Sequence, residues 1–188
     1  MALDGKCRVT ASRYIHKDRW IALRADDCVT DDGAPVAPYY VLEYPDWVEI
    51  VALDAEDNVL LVRQYRHAMG DFTIELPAGG MDPGDTDPCV TGARELLEET
   101  GCVGVLSYVG EARPNAGTHT NRVHTLLARD VVQTAAPKDD PAERIEHFWV
   151  PAAEAVRMAL AGELVVAMHV GSLLRGLTQA GVATVAVR

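Results

Sequence analysis

Three glutamates, Glu95, Glu98 and Glu99, stand at i, i+3 and i+4 in the run Arg94-Glu95-Leu96-Leu97-Glu98-Glu99-Thr100-Gly101. On a helix of about 3.6 residues per turn this spacing gathers three carboxylates on one stripe. Like charges so placed repel, at roughly 0.2–0.5 kcal/mol per pair, unless a cation sits among them. Hard oxygen donors at that density suit Mg2+ or Mn2+. Alone, the pattern admits two readings, a platform for a divalent metal or a solvated acidic helix face.

Helix signals surround the stripe. Asp87 is placed to cap, Pro88 suits the first position, and Val90, Ala93, Leu96 and Leu97 recur at three- and four-residue spacing. Gly101 supplies a left-handed stop, so the spacing predicts a helix over Pro88–Thr100. Ahead of it, Pro77-Ala78-Gly79-Gly80 and Pro83-Gly84 read as irregular loop.

Extended segments are predicted at Arg8–Tyr14, Trp20–Cys28, Val36–Leu42, Val48–Leu53, Val59–Val62, Phe72–Leu76, Val105–Glu111, Val123–Ala128 and Ile145–Val150. Two more helices are predicted over Ala152–Ala161 and Val166–Gln179. Strands and helices interleaved without strict alternation predict an α/β domain, with a mixed sheet between helical layers, behind a small β-rich N-terminal subdomain. Trp47, ahead of an apolar run, is expected in the core.

The formal net charge of −11 opposes binding to nucleic acid or to an anionic membrane surface. It also poses a question: an acidic protein acting on an anionic phosphate ester must offset its own carboxylates, which divalent metal does. Cys7, Cys28, Cys89 and Cys102 are scattered without zinc-site spacing and read as free thiols. No apolar run reaches the ~18 residues needed to span a bilayer, and Met-Ala-Leu-Asp-Gly-Lys lacks the apolar core of a signal peptide, so a cytoplasmic location is expected.

Gly79, five residues, Asp85, eight residues and then Arg-Glu-Leu-Leu-Glu-Glu-Thr-Gly-Cys resembles the signature of the Nudix hydrolase superfamily. Two departures stand out: Asp85 takes a position usually held by Glu, and one extra residue precedes Arg94. The resemblance implies a Nudix-type α/β/α sandwich over 47–188, with 1–46 as a β-rich dimerisation and substrate segment. It also implies Mg2+-dependent pyrophosphate hydrolysis, Mn2+ being a possible substitute. Glu95 and Glu99 would ligate the metal, Glu98 would join them as a catalytic residue, and the Ala78 carbonyl would complete the site. Arg94 would orient a neighbouring carboxylate by a bidentate pair.

Val62-Arg63-Gln64-Tyr65-Arg66 and Glu75-Leu76-Pro77-Ala78-Gly79 resemble the branch that cleaves ADP-ribose and related nucleoside diphosphate sugars. That resemblance implies a substrate-side role for Arg66 and a place for Glu75 beside the metal. It further implies a homodimer, with Trp20 stacking on the base and Tyr40, or Tyr39, facing it. A catalytic base is expected from the stretch 138–146, where Glu143 matches best and Glu146 second. Ala116, in Asn115-Ala116-Gly117, stands where that branch carries proline. The same chemistry on a CDP-alcohol, a GDP-sugar or a dinucleoside polyphosphate is therefore the alternative. A non-catalytic nucleotide-sugar sensor is the reading from another class.

Overall fold

The computed structural model describes residues 6–138 and 144–184. The chain divides into two compact units, one running up to Pro45 and including Arg113–Arg122, the other made of Asp46–Ala112 and the chain from Val123 onward.

The first unit carries an antiparallel sheet of β1 (Cys7–Lys17), β2 (Ala22–Thr30) and β3 (Pro35–Glu43), in that spatial order. β1 is an edge strand, and all eleven of its residues are exposed. Trp20 was expected inside the second strand but sits in the turn before it. The Asp18 carboxylate accepts from the backbone N–H groups of Trp20 at 2.7 Å and Ile21 at 2.9 Å, and this local bonding competes with strand pairing. The returning segment 113–122 is pinned to β3, because Leu42 N–H donates to the Thr118 carbonyl and Thr120 N–H to the Leu42 carbonyl.

In the second unit, β4 (Trp47–Ala52), β7 (Ala78–Gly80), β8 (Cys102–Ala112) and β9 (Val123–Gln133) form a mixed sheet ordered β7-β4-β9-β8. β4 and β9 run parallel and the other pairs antiparallel. A second, antiparallel sheet is ordered β10-β5-β6, from β5 (Asn58–Arg66), β6 (Asp71–Glu75) and β10 (Ile145–Pro151).

Successive strand residues point to opposite faces, and this alternation sorts the core into two layers. Val48, Ile50, Ala52, Leu60 and Leu126 pack with Leu96 of α1 (Pro88–Thr100). Val51, Leu53, Val59, Leu61 and Leu127 pack instead with α2 (Ala152–Leu160) and α3 (Ala167–Gln179).

The first helix has both expected boundaries. The Asp87 carboxylate accepts from Cys89 N–H, and Gly101 at φ 69° closes the helix with its N–H on the Leu97 carbonyl. A side chain at Gly101 would also stand 2.1 Å from the Ala135 carbonyl oxygen, so glycine is required twice over.

The segment before the helix corrects an expectation. Ala78–Gly80, read as loop, is a short strand paired with Trp47–Glu49. An edge strand needs only extended backbone and one hydrogen-bonding side, and the Pro77 carbonyl accepts from Ile50 N–H at 2.8 Å. The carboxylate helix and this strand thus converge on β4.

Two glycines of α3 separate packing from helix propensity. A Cβ at Gly176 would stand 2.6–3.0 Å from the side-chain carbons of Val51, a stiff β-branched residue in the core, whereas one at the exposed Gly171 would meet nothing within 4 Å. Urea denaturation is expected to show Gly176→Ala destabilised by about 1–3 kcal/mol through overpacking. Gly171→Ala is expected to be stabilised by roughly 0.5–1 kcal/mol.

Candidate active site

A cavity of about 350 Å3 opens where α1, β4 and β7 meet. Glu95, Glu98 and Glu99 line it from α1, Ala78, Gly79 and Gly80 from β7, and Trp47 and Arg66 from β4 and β5. Pro137, Lys138 and Ile145 complete the wall. The predicted helix period therefore places all three glutamates in one concave space. Trp47, expected in the core, is half-buried and lines that space, donating its indole N–H toward Glu49 at 3.4 Å.

The negative charge on the helix is answered from several sides. Arg94 Nη1 lies 2.6 Å from Glu95 Oε1 and 3.7 Å from Glu98 Oε2, while Arg94 Nη2 donates to the Gly80 carbonyl at 3.2 Å and lies 3.7 Å from Asp82. One guanidinium thus bridges several acceptors, where a bidentate pair with one carboxylate was expected. Lys138 Nζ pairs with Glu98 at 3.1 Å, and its backbone N–H donates to the Glu98 carbonyl at 2.8 Å. Glu99 accepts from Ala78 N–H at 3.1 Å, tying helix to strand.

Gly79 makes room for this arrangement, since a Cβ there would stand 2.1 Å from Glu95 Cδ. Asp85, the shorter stand-in for Glu, accepts from Thr91 Oγ1 at 2.8 Å and Asp82 N–H at 2.9 Å. Those two bonds hold its carboxyl below the usual range and fasten the loop to the first turn of the helix.

With the carboxylates turned to these partners, no three His, Cys, Asp or Glu side chains among the described residues converge as a ready-made metal cage. The donor set nevertheless fits a hard divalent cation in its chemistry. Three carboxylates and a backbone strand share one wall, and two partly exposed cationic side chains, Arg94 and Lys138, offset part of the charge they present.

Opposite the helix stands a single strong ion pair. Arg66 Nε and Nη2 donate to the two oxygens of Glu75 at 2.8 and 2.6 Å, with Arg66 half-exposed to the cavity and Glu75 buried. Burial pushes the Glu75 carboxyl up, but bonds from Arg66, His169 and Thr73 outweigh it and hold the group well below the ordinary carboxylate range. Gln64 reaches the same carboxylate at 3.4 Å. His169 of α3 and Glu49 of β4, both fully buried, complete a polar layer behind the wall. Neither was singled out from the sequence. The available signal was Glu49 itself, a charge inside the apolar run Val48-Glu49-Ile50-Val51, which demands a buried partner.

Glu146 lies on β10 with its side chain exposed and paired with Arg63 at 3.2 Å. Glu143 lies outside the described residues. In the other unit, Trp20 is 70% exposed with the Arg19 guanidinium 4.4 Å above its ring, and Tyr40 is exposed on β3. Tyr39 is exposed too and donates its hydroxyl to the Gly117 carbonyl. His119 packs on Tyr44, and His124 stands between Tyr108 at 3.3 Å and Asp46 at 3.6 Å. Neither histidine lines the cavity.

The chain is similar in sequence and fold to known proteins. The NUDIX domain model matches residues 43–167, and the model for the nucleoside diphosphate sugar hydrolase N-terminal domain matches residues 8–42. An ADP-ribose pyrophosphatase of Mycobacterium tuberculosis is 32% identical over 166 residues, covering 87% of this chain and 80% of that protein. An ADP-ribose pyrophosphatase of Bacillus subtilis is 24% identical over 84% of this chain and 85% of its own. A CMP-5'-(N-acetyl-N-hydroxy-3-aminopropyl)phosphonate hydrolase of Streptomyces rubellomurinus is 29% identical over 81% of this chain and 73% of its own. The crystal structure of an ADP compounds hydrolase superimposes with a TM-score of 0.81, at 19% identity, over 95% of this chain and 97% of that one, a likeness of fold.

The Arg66–Glu75 pair has a stability consequence with a defined sign. A carboxyl held below its ordinary value contributes stability that is fully present above that value, about 4.5, and is lost as pH falls through the folded-state value. Arg66→Ala leaves Glu75 buried without its main partner and is expected to cost about 3 kcal/mol near neutral pH. Denaturant titrations should show the gap to wild type constant from pH 8 to 6 and narrowing below the ordinary carboxylate range.

Proposed function

Because this chain belongs to the Nudix hydrolase family, we propose that it hydrolyses the pyrophosphate bond of ADP-ribose or a related nucleoside diphosphate sugar, with Mg2+, to two monophosphates. The observation that carries this reading is the single cavity in which Glu95, Glu98, Glu99 and Ala78 face Arg66. One wall offers hard oxygen donors and the other a fixed guanidinium, the two requirements of a metal-bound diphosphate.

Glu95, Glu99 and the Ala78 carbonyl would hold the metal, with Glu98 beside them. A divalent metal there supplies Lewis-acid neutralisation of the diphosphate and acidifies an attacking water. Arg66, oriented by Glu75, binds the diphosphate oxygens. Arg94 keeps the carboxylates of α1 in place as it exchanges partners. Water forms the new P–O bond while the bond to the bridging oxygen breaks. The proton passes to a glutamate of the stretch 138–146, Glu143 first and Glu146 second, the latter being exposed and paired with Arg63.

Trp20 and Tyr40 are assigned to stacking on the base, which their exposed rings support. A homodimer formed through the N-terminal unit is supported by β1, an edge strand exposing Val9, Tyr14 and Ile15. No helix among the described residues is long and apolar enough to cross a membrane.

A second substrate reading keeps the chemistry and changes the leaving half. Ala116 in place of proline, and the likeness to a hydrolase named for a CMP-phosphonate, favour testing CDP-alcohols, GDP-sugars and dinucleoside polyphosphates beside ADP-ribose.

Incubation with Mg2+ and ADP-ribose is expected to release AMP and ribose phosphate, and chelation to abolish release. Glu98→Gln should lower kcat by on the order of 10²–10⁴-fold with its melting temperature retained. Absence of turnover across the whole panel would reject the hydrolase reading, and a Glu98→Gln protein of full activity would reject the assignment of Glu98.

A further inference from the structure

His169 sits on α3 with no exposed surface, yet it lies against Glu75, the last residue of β6, and Leu76 just after it. Its Nδ1 accepts the Leu76 N–H at 3.1 Å. An imidazole that accepts at Nδ1 carries its hydrogen on Nε2. That nitrogen stands 3.3 Å from Glu75 Oε2 and 3.7 Å from Glu49 Oε1, between two fully buried carboxylates.

From these two contacts the structure continues outward to the cavity by separate routes. Glu75 passes to the Arg66 guanidinium through two hydrogen bonds, and Leu76 passes through Pro77 to Ala78 on the opposite wall. The two Glu75 oxygens are unequally served. Oε1 receives Arg66 Nε and the Thr73 hydroxyl, while Oε2 receives Arg66 Nη2 and only a long bond from Gln64, at 3.4 Å. His169 Nε2 is the buried nitrogen facing that under-served side, 3.3 Å from Oε2, where its hydrogen makes no aligned hydrogen bond and acts on the carboxylate through charge–dipole attraction.

We propose that His169 is a positioning residue: carrying its hydrogen on Nε2, it fixes the plane of the Glu75 carboxylate and so aims the Arg66 guanidinium at the diphosphate. This rests on the hydrolase reading for its kinetic consequence. Arg66 is a long side chain half in solvent, and a bidentate pair orients it only when the carboxylate cannot rotate. Glu49 adds to the demand for this imidazole, because its Oε2 and His169 Nε2 are both buried without an aligned hydrogen bond, leaving attraction between the ring N–H and the two carboxylates to hold the layer.

His169→Ala would leave two carboxylates facing each other in the core and could fail to fold, so amide variants are the better probes. His169→Asn offers a carbonyl where Nδ1 accepts but cannot reach Glu75. His169→Gln offers an amide N–H where Nε2 stands. With ADP-ribose and Mg2+, His169→Asn is expected to raise KM about 10-fold with kcat within about 3-fold, and His169→Gln to return KM to within about 3-fold of wild type.

An unchanged KM in His169→Asn overturns the proposal, as do equal losses in both variants that track their melting temperatures. Nitrogen-15 spectra of histidine-labelled wild type provide an arm without turnover. Hydrogen on Nε2 and a bare Nδ1 are expected for His169, and hydrogen on Nδ1 overturns the proposal. If wild type turns over nothing, the hydrolase reading fails while the spectra still decide the tautomer on which the positioning depends.

Discussion

Mutual repulsion among three carboxylates on little more than one helical turn is the constraint around which the cavity is arranged. Each pairwise term is small on an exposed helix, but it grows as the helix is packed and water is withdrawn. The chain meets it with strong helix ends. Asp87 and Gly101 cap α1, Leu96 anchors it in the core, and Ala78 N–H binds Glu99. Arg94 and Lys138 then neutralise what remains without filling the cavity. Both are solvent-accessible and able to release the carboxylates to a cation of higher charge density.

The opposite wall solves the inverse problem. There the Glu75 carboxylate is buried, and its charge is met by Arg66, Thr73, Gln64 and His169 from three different elements. An acidic wall paired with two partly exposed cations thus faces a guanidinium held by two bonds to a buried carboxylate. Under the proposed hydrolysis, the first would exchange its cations for a metal and the second would orient the anion. The close approach of β7 to α1 at Gly79, and of α3 to β4 at Gly176, sets the width of the gap and the depth of the layer behind it.

Much of this was legible in the residues, for identifiable reasons. The first helix carried a complete set of local signals at both ends, and the glutamate spacing put its chemistry on one face. What escaped was written in tertiary pairing. Ala78–Gly80 is a strand only because β4 offers it an edge, and Trp20 leaves its strand because Asp18 captures its N–H. Trp47 reads as core from the apolar run after it, but it stands at the strand end where the cavity begins. His169 lies in a helix with no spacing to any other ligand, and its backbone partner Leu76 is 93 residues away in sequence. Only Glu49, an acid inside an apolar strand, hinted that a buried polar layer existed.

A metal platform on the carboxylate stripe of α1 would show itself in anomalous scattering from crystals soaked in Mn2+. A manganese peak bonded to carboxylate oxygens of Glu95 and Glu99 and to the Ala78 carbonyl, with Arg94 displaced from Glu95, is the predicted result. Manganese bound elsewhere, or none while the ion pairs of Arg94 and Lys138 persist, would mean that the stripe is a solvated acidic face.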